Sequence, residues 1–248
     1  MKSSRILGPV FLFALWLGLA SSGLVSPLIL PQPFAVIQAG YSLLVGTGEL
    51  WSHIGLTAYR TLLSFTLSCL IGIPVGLLMG FMPFVHTALD FLVDFFRSIP
   101  PIALFPLFLL VFGIGEASRL AVPFYGCVLV IIVNSSYGVA NVPALRRTVG
   151  RVYGFSNAQV FWKIVVPDSL PQVFAGMRTA VSLALVLAIV VEMFIGSPSG
   201  LGKKIYDYHL LFETPKLYAT VGITGLFGYL LNQGFLRLER HIVHWADK

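Results

Sequence analysis

Charge is what this sequence has least of. Asp, Glu, Lys and Arg together make up 10% of its 248 residues, against about 25% in a soluble globular domain. Such a chain cannot cover itself with water-loving groups. Hydrophobic residues are 57% and mean hydropathy is +0.88, so lipid is its solvent. Cysteine is nearly absent. Cys69 and Cys127 both lie in apolar runs, which excludes a disulfide framework or metal pair and leaves small packing residues. Catalytic patterns are missing too: no H-E-x-x-H and no G-x-S-x-G occurs. His241 and His244 can share a helix face, but no third ligand lies near. The net charge of +6 sits at helix ends and in one loop, which does not suggest nucleic acid.

What remains is a series of long apolar runs. With about 20 residues per crossing, six spans fall at 6–25, 57–82, 91–112, 119–140, 171–195 and 216–236. The expected fold is all-α and polytopic, with a first helix and external connection in 1–56 and a core in 57–248. Lys2 and Arg5 precede the first span, Arg237, Arg240 and Lys248 follow the last, and 26–56 has no Lys or Arg. An even count puts both termini on one side, and the positive bias makes that side cytoplasmic. Lys203, Lys204 and Lys216 then lie outside. The first run has a second reading as a cleaved signal peptide ending at Ala20-Ser21-Ser22-Gly23. Its apolar core exceeds the usual 7–15 residues or so, which favours a retained span.

In the second span Ser64, Ser68, Gly72, Gly76 and Gly80 recur every four residues on one helix face. Small residues there let another backbone approach closely, and Pro74 predicts a kink. Gly222, Gly225 and Gly228 suggest a similar seam in the sixth span. Polar residues inside apolar runs are functional candidates because lipid penalises them. Arg97 has Asp94 three residues before it as a partner. Asn134 and Ser135 either bond between helices or line a path. Glu192 either shapes an outer gate or reaches interfacial water. Arg60 reads as interfacial. Lys203 and Lys204 follow the Gly200-Leu201-Gly202 turn, as plain solvated lysines or as groups that meet an anion or an acidic partner. The Gly200–Lys204 run is no phosphate loop: the position of the first Gly is Ser197 and that of the final Ser/Thr is Lys204.

The longest charged interruption is Pro143 to Pro171, with Arg146, Arg147, Arg151 and Lys163 against one acid, Asp168. Pro143 predicts a short helix that Gly154 ends. Ser156 with Gln159 predicts a capping box for a second, with Val160, Phe161, Ile164 and Val165 as its apolar stripe. Pro167 is expected to stop it and Pro171 to open the fifth span. This basic hairpin faces the cytoplasm, either packed on its own bundle or docked onto another protein.

The hairpin resembles the cytoplasmic loop of binding-protein-dependent ABC importer permeases. There a Glu-Ala-Ala triplet precedes a Gly, and a Pro follows thirteen residues later; Gly154 and Pro167 have that spacing. Arg97-Ser98-Ile99-Pro100-Pro101-Ile102-Ala103-Leu104 through Phe112-Gly113-Ile114-Gly115-Glu116 is similar to the third-span segment of the nitrate/sulfonate/taurine branch. Gly72-Ile73-Pro74-Val75-Gly76, Glu192, Gly200-Leu201-Gly202 and Leu238-Glu239-Arg240 also fall where that branch has such residues. The resemblance covers nearly the whole chain and implies a multi-pass permease of the bacterial inner membrane. It implies a coupling loop over about 143–170, here Arg146, Arg147, Thr148, Val149, Gly150, Arg151, Gly154, Phe155, Ser156 and Pro167. The candidate pathway or gate set is Arg97, Asn134, Glu192, Gly200, Gly202 and Lys203. Partners implied are a cytoplasmic ATPase dimer carrying ATP and Mg, a second permease copy and an external solute-binding protein, with no cofactor on this chain. One departure stands out: Thr148-Val149-Gly150 replaces Glu-Ala-Ala, removing an acidic contact and placing a Gly that weakens a helix by about 1 kcal/mol relative to Ala. The rival is an ion-gradient transporter. It needs buried carboxylates or repeats, whereas Asp90, Asp94 and Glu192 are few and near span ends.

Overall fold

The computed structural model describes residues 4–194 and 197–245. Lys2 and Lys248, two of the charges that set the expected orientation, lie outside them, as does the start at Met1. The described residues are helical and irregular, without strands. The helices are α1 (Ser4–Ser21), α2 (Pro33–Tyr41), α3 (Leu50–Phe81), α4 (Pro83–Arg97), α5 (Phe105–Phe112), α6 (Glu116–Ala140), α7 (Ala144–Val152), α8 (Asn157–Val160), α9 (Val166–Met193), α10 (Leu201–Leu210) and α11 (Thr214–Ile242). The chain divides into two units, Met1–Leu56 with Glu192–Phe227, and Thr57–Val191 with Gly228–Lys248.

The larger unit is organised on the small-residue stripe of α3, and its partner is α6. Ser64 Oγ donates to the Leu120 carbonyl at 3.1 Å and Ser68 Oγ to that of Phe124 at 3.0 Å. A Cβ on Gly72 would meet the Val128 carbonyl at 3.1 Å, one on Gly76 that of Ile132 at 2.4 Å, and one on Gly80 that of Ser136 at 2.5 Å. Each pair is offset by 56 residues, so α3 and α6 run parallel and in register for five turns. With no apolar driving force between helices in lipid, close backbone approach supplies the attraction. The seam read from the sequence is present, and Gly is required where carbonyls approach. Gly222 and Gly225 differ: a Cβ on either meets nothing within 4 Å, and only Gly228 packs, against Leu185. Phe235 of α11 closes this unit against Phe65 and Phe174, with ring centroids 5.9 Å apart in both cases.

Parallel α3 and α6 require the chain to return between them. It does so through α4 and α5, which are bent by 86°. The expected continuous span at 91–112 is therefore broken. Pro100, Pro101 and Pro106 lack N–H donors and restrict the residues before them, so the chain turns through a 3₁₀ segment, Pro101–Leu104.

The fifth span also departs from expectation. Helical structure continues from Asn157 to Met193, so Pro167 does not stop it and Pro171 lies inside α9. A π turn at Phe161–Val165 explains this, with the Val166 N–H bonded to the Phe161 carbonyl. The i→i−4 ladder is already interrupted where Pro167 brings no donor. Among the described residues three helices are long and apolar enough to cross a membrane, or four with the bent pair as one. Helix α1 is shorter, and polar Thr220, Thr224, Asn232 and Gln233 dilute α11.

In the smaller unit, Leu43, Leu50, Leu201 and Tyr208 form the core. The 26–32 connection is tied down by Trp16 Nε1 donating to the Pro31 carbonyl (3.1 Å), Thr214 Oγ1 to that of Leu28 (2.8 Å) and Tyr218 OH to that of Ile29 (3.0 Å). Trp16 stacks on Tyr218 at 6.2 Å.

Candidate functional site

Helix α7 begins after Pro143 and ends in a Schellman motif. The Gly154 N–H bonds the Arg151 carbonyl at 2.9 Å and the Phe155 N–H bonds that of Gly150 at 3.0 Å, with Gly154 at φ +79°. That left-handed conformation is why glycine ends the helix. Ser156 Oγ accepts from the Gln159 N–H (3.3 Å) while Gln159 Oε1 accepts from the Ser156 N–H (2.9 Å), the expected capping box. Gly150 has a positive role that helix propensity did not reveal. It is buried, and a Cβ there would fall 2.5 Å from Cδ1 of Ile164. Glycine lets α7 lie directly on the π turn.

Two arginines hold the hairpin to the bundle. Arg146 donates to Asp168 Oδ1 at 2.5 Å, and this carboxylate raises the guanidinium pKa. Arg147 donates to the Val139 carbonyl in the last turn of α6, a favourable place for a cation. Lys163 sits over the Phe155 ring at 5.2 Å. On the other side, Leu145, Val149, Val152 and Tyr153 follow a helical i, i+4, i+7, i+8 spacing and are 73%, 45%, 82% and 78% exposed. Thr148 and Arg151 are exposed beside them, and Trp162 is 66% exposed. The hairpin thus packs on its own bundle through Gly150, Arg147 and Val160, and still presents an uncovered apolar and basic face.

The second site is the turn into α10. Glu192 is fully buried, so it does not reach interfacial water. Its Oε2 accepts from the Gly202 N–H at 3.0 Å, capping a helix start with a carboxylate. Gly200, at φ +129°, packs against the same group: a Cβ would lie 2.2 Å from the Glu192 carboxyl carbon. The Gly200 N–H donates to His53 Nδ1 at 2.9 Å, which makes that imidazole nitrogen an acceptor. Gly200→Ala is expected to destabilise this unit by roughly 3 kcal/mol through backbone strain and overpacking together. A thermal-shift measurement in detergent checks it; an unchanged midpoint would discount the contact.

Each of the three lysines expected to lie outside has a carboxylate partner. Lys203 pairs with Asp207, Lys204 with Glu49, and Lys216 with Glu213 at 2.8 Å. The Lys204 hydrogen bond holds the Glu49 carboxyl below its ordinary value. Tyr208, under Lys204 and Lys216, has its hydroxyl pushed up to about 12 by burial.

In the larger unit, Arg97 pairs with Asp94 at 3.2 Å as the spacing indicated. Asn134 bonds between helices: its Oδ1 accepts from Gln172 Nε2 at 3.1 Å, and its Nδ2 donates to the Val130 carbonyl at 2.9 Å. Arg60, read from the sequence as interfacial, is 1% exposed and makes a bidentate pair with Glu116, at 2.8 and 2.6 Å. Arg119 joins the same carboxylate at 2.8 Å. Residues 60 and 116 share the 56-residue offset, so this cluster ends the α3–α6 seam. Sequence reasoning missed it because each member looks ordinary until the two helices are paired.

The family described as binding-protein-dependent transport system inner membrane component matches residues 72–244. Similar proteins include the putative aliphatic sulfonates transport permease protein of Bacillus subtilis, 31% identical over 98% of this chain and 87% of that one. The taurine transport system permease protein of Escherichia coli is 29% identical over 94% and 86%. The nitrate import permease protein of Synechocystis is 30% identical over 88% and 82%. Among solved structures, an inward-facing MetNI methionine ABC transporter chain aligns with a TM-score of 0.69 at 20% identity, covering 78% of this chain and 95% of that one. That likeness concerns the fold.

Proposed function

Because the chain belongs to the family of binding-protein-dependent transport system inner membrane components, we propose that its α7–α8 hairpin is the contact through which a separate ATPase drives import. The uncovered face of α7 carries this reading. Leu145, Val149, Val152 and Tyr153 are too exposed and too ordered in spacing for a surface that meets only water. Thr148-Val149-Gly150 keeps the helix without the family's acidic residue, so docking rests on the apolar face and on Arg151. Arg146 and Arg147 are occupied in fixing the helix to α9 and α6.

In this reading the chain is a six-span permease with both termini cytoplasmic. Two copies enclose one pathway, a solute-binding protein delivers cargo outside, and ATP with Mg is handled on the partner ATPase. The cargo is a small organic or inorganic anion of the sulfonate, taurine or nitrate kind, after the relatives. Arg97, Asn134, Glu192, Gly200, Gly202 and Lys203 are its pathway and gate candidates; Glu192 and the two glycines form one latch at the start of α10. The ion-gradient alternative has little to work with, since Asp90 and Asp94 are over half exposed and Glu192 is engaged by Gly202. The test is affinity purification from native membranes in mild detergent with partners identified by mass spectrometry. A phosphate-loop ATPase should co-purify with the wild-type chain. It should be lost when Leu145, Val152 and Tyr153 are replaced by Asp, Asp and Ser. Recovery of the chain alone, where other membrane complexes survive, would sink the reading.

A further inference from the structure

Helix α9 is polar on its exposed side, the reverse of what lipid favours. Four of its residues are exposed, Arg178, Thr179, Ser182 and Val186, and three of these are polar. At about 100° per residue they fall within an arc of roughly 100°. The buried side is apolar, with Val173, Phe174, Val181, Leu185, Leu187 and Val191. Arg178 is also deep in the span. It lies about 15 Å from Asp168 and about 21 Å from Glu192 along the helix axis, and no other charged residue stands between those two. An arginine near a helix end snorkels to the interface. One this far in needs a partner or water, because lipid penalises the charge.

Other arginines of the spanning helices have carboxylates: Arg60 and Arg119 meet Glu116, and Arg97 meets Asp94. The Arg178 guanidinium makes no ion pair or hydrogen bond among the described residues. Its neighbours on the strip serve water rather than an ion. Thr179 Oγ1 donates to the Ala175 carbonyl at 3.1 Å and Ser182 Oγ to that of Arg178 at 3.3 Å. Both donors are used inside the helix, which leaves the hydroxyl oxygens to accept from water. Gln172, two turns before Thr179, extends the polar side to Asn134 of α6 at 3.1 Å. The strip is therefore a wettable surface with one uncompensated positive charge, at a depth where lipid tolerates neither.

We infer that Arg178 is the charge-selecting residue of the solute pathway, and that the strip around it lines the water-filled part of that pathway within the membrane. Fixed cationic side chains select anions in membrane pores, and the planar guanidinium fork matches the paired oxygens of an oxyanion. With two copies around one path, two such forks meet the solute. The inference rests on the permease reading above and adds the residue that recognises the charge, without choosing among anions. The same helical element carries the coupling hairpin: it runs from Asn157 to Met193, and Arg146 holds Asp168 near the start of α9. A shift of the docked hairpin therefore moves Arg178 with it.

The experiment uses the complex purified from native membranes, with Ser182→Cys as a reporter one turn from Arg178. Labelling by anionic and by cationic methanethiosulfonates is compared, and labelling of the unsubstituted complex is subtracted. The anionic reagent should react about tenfold faster, because a local positive field focuses anions, and the preference should shrink as salt is raised. Arg178→Gln should abolish it and Arg178→Lys should keep most of it, a pattern that a merely structural arginine does not give. The preference should also weaken at Val186→Cys, two turns away, which locates the charge even if the glutamine variant does not assemble. Equal rates, a cationic preference, a preference that survives Arg178→Gln, or one undiminished at Val186→Cys would each overturn the inference. So would reaction with neither reagent in a complex whose unfolded chain labels fully, since lipid or a carboxylate of the second copy then covers the strip. Co-purification of a phosphate-loop ATPase is scored on the same preparation. If none accompanies the unsubstituted chain, the permease reading falls and the selecting role with it; an ATPase without anion-selective labelling removes the selecting role alone.

Discussion

Gly154→Val is expected to remove nearly all ATP-driven uptake while the chain still inserts and the partner ATPase still turns over. Nothing lies within 4 Å of a Cβ at this position, so the cause is not a clash. It is the backbone: φ is +79°, a region that a β-branched residue enters only as an outlier. The left-handed conformation costs an ordinary L-residue roughly 1–2 kcal/mol, and valine more. Relief comes from unwinding the Schellman turn, which releases the Gly154 and Phe155 N–H bonds and turns Val152 and Tyr153 away from their helical positions. A docking face needs rigidity to pass on motion, so coupling fails before folding does. Gly154→Asn is the control, because asparagine tolerates this conformation, and it should retain most uptake. Reconstituted proteoliposomes in which uptake and ATP hydrolysis are measured together decide the matter. Normal uptake by the valine variant would remove the hairpin from the coupling role.

Much of this hairpin was legible in the sequence because its signals are local. Proline before a helix, glycine after it, and Ser156 three residues before Gln159 each act within one turn, and all three operate as expected. The same holds for Asp94 with Arg97. What local rules misjudged was proline at 167, because a π turn upstream had already broken the hydrogen-bond ladder. Gly150 was read as a weakness for the same reason: propensity sees the helix alone, whereas the contact with Ile164 arises only once the π turn folds back. The stripe of Ser64 to Gly80 announced a seam but could not name its partner. The 56-residue register with α6, and with it the burial of Arg60 on Glu116, is long-range information. Glu192 shows the same limit, since its capping of α10 depends on the path of the turn that follows it.

Gly76→Leu is expected to be the most damaging single change for stability. The first added carbon alone falls 2.4 Å from the Ile132 carbonyl oxygen and 2.7 Å from the Ser135 Cβ. The obstacle is backbone, which cannot swing aside as a side-chain tip does, so α3 and α6 must separate. Separation is not confined to one turn, because the register is continuous from Arg60–Glu116 to Gly80–Ser136. Overpacking in a tight core costs about 1–3 kcal/mol, and loss of the neighbouring Ser64 and Ser68 bonds adds about 1 kcal/mol each. The variant should therefore yield little monodisperse protein after solubilisation. Gly222→Leu, at an open position on α11, should behave as wild type in the same size-exclusion and thermal-stability measurements. The pair separates a specific seam from a general intolerance of leucine for glycine in membrane helices. If both variants stay monodisperse with unchanged midpoints, the close approach of α3 and α6 is not what holds the larger unit together. In that case the Arg60–Glu116–Arg119 cluster, at the end of the same register, becomes the next contact to remove.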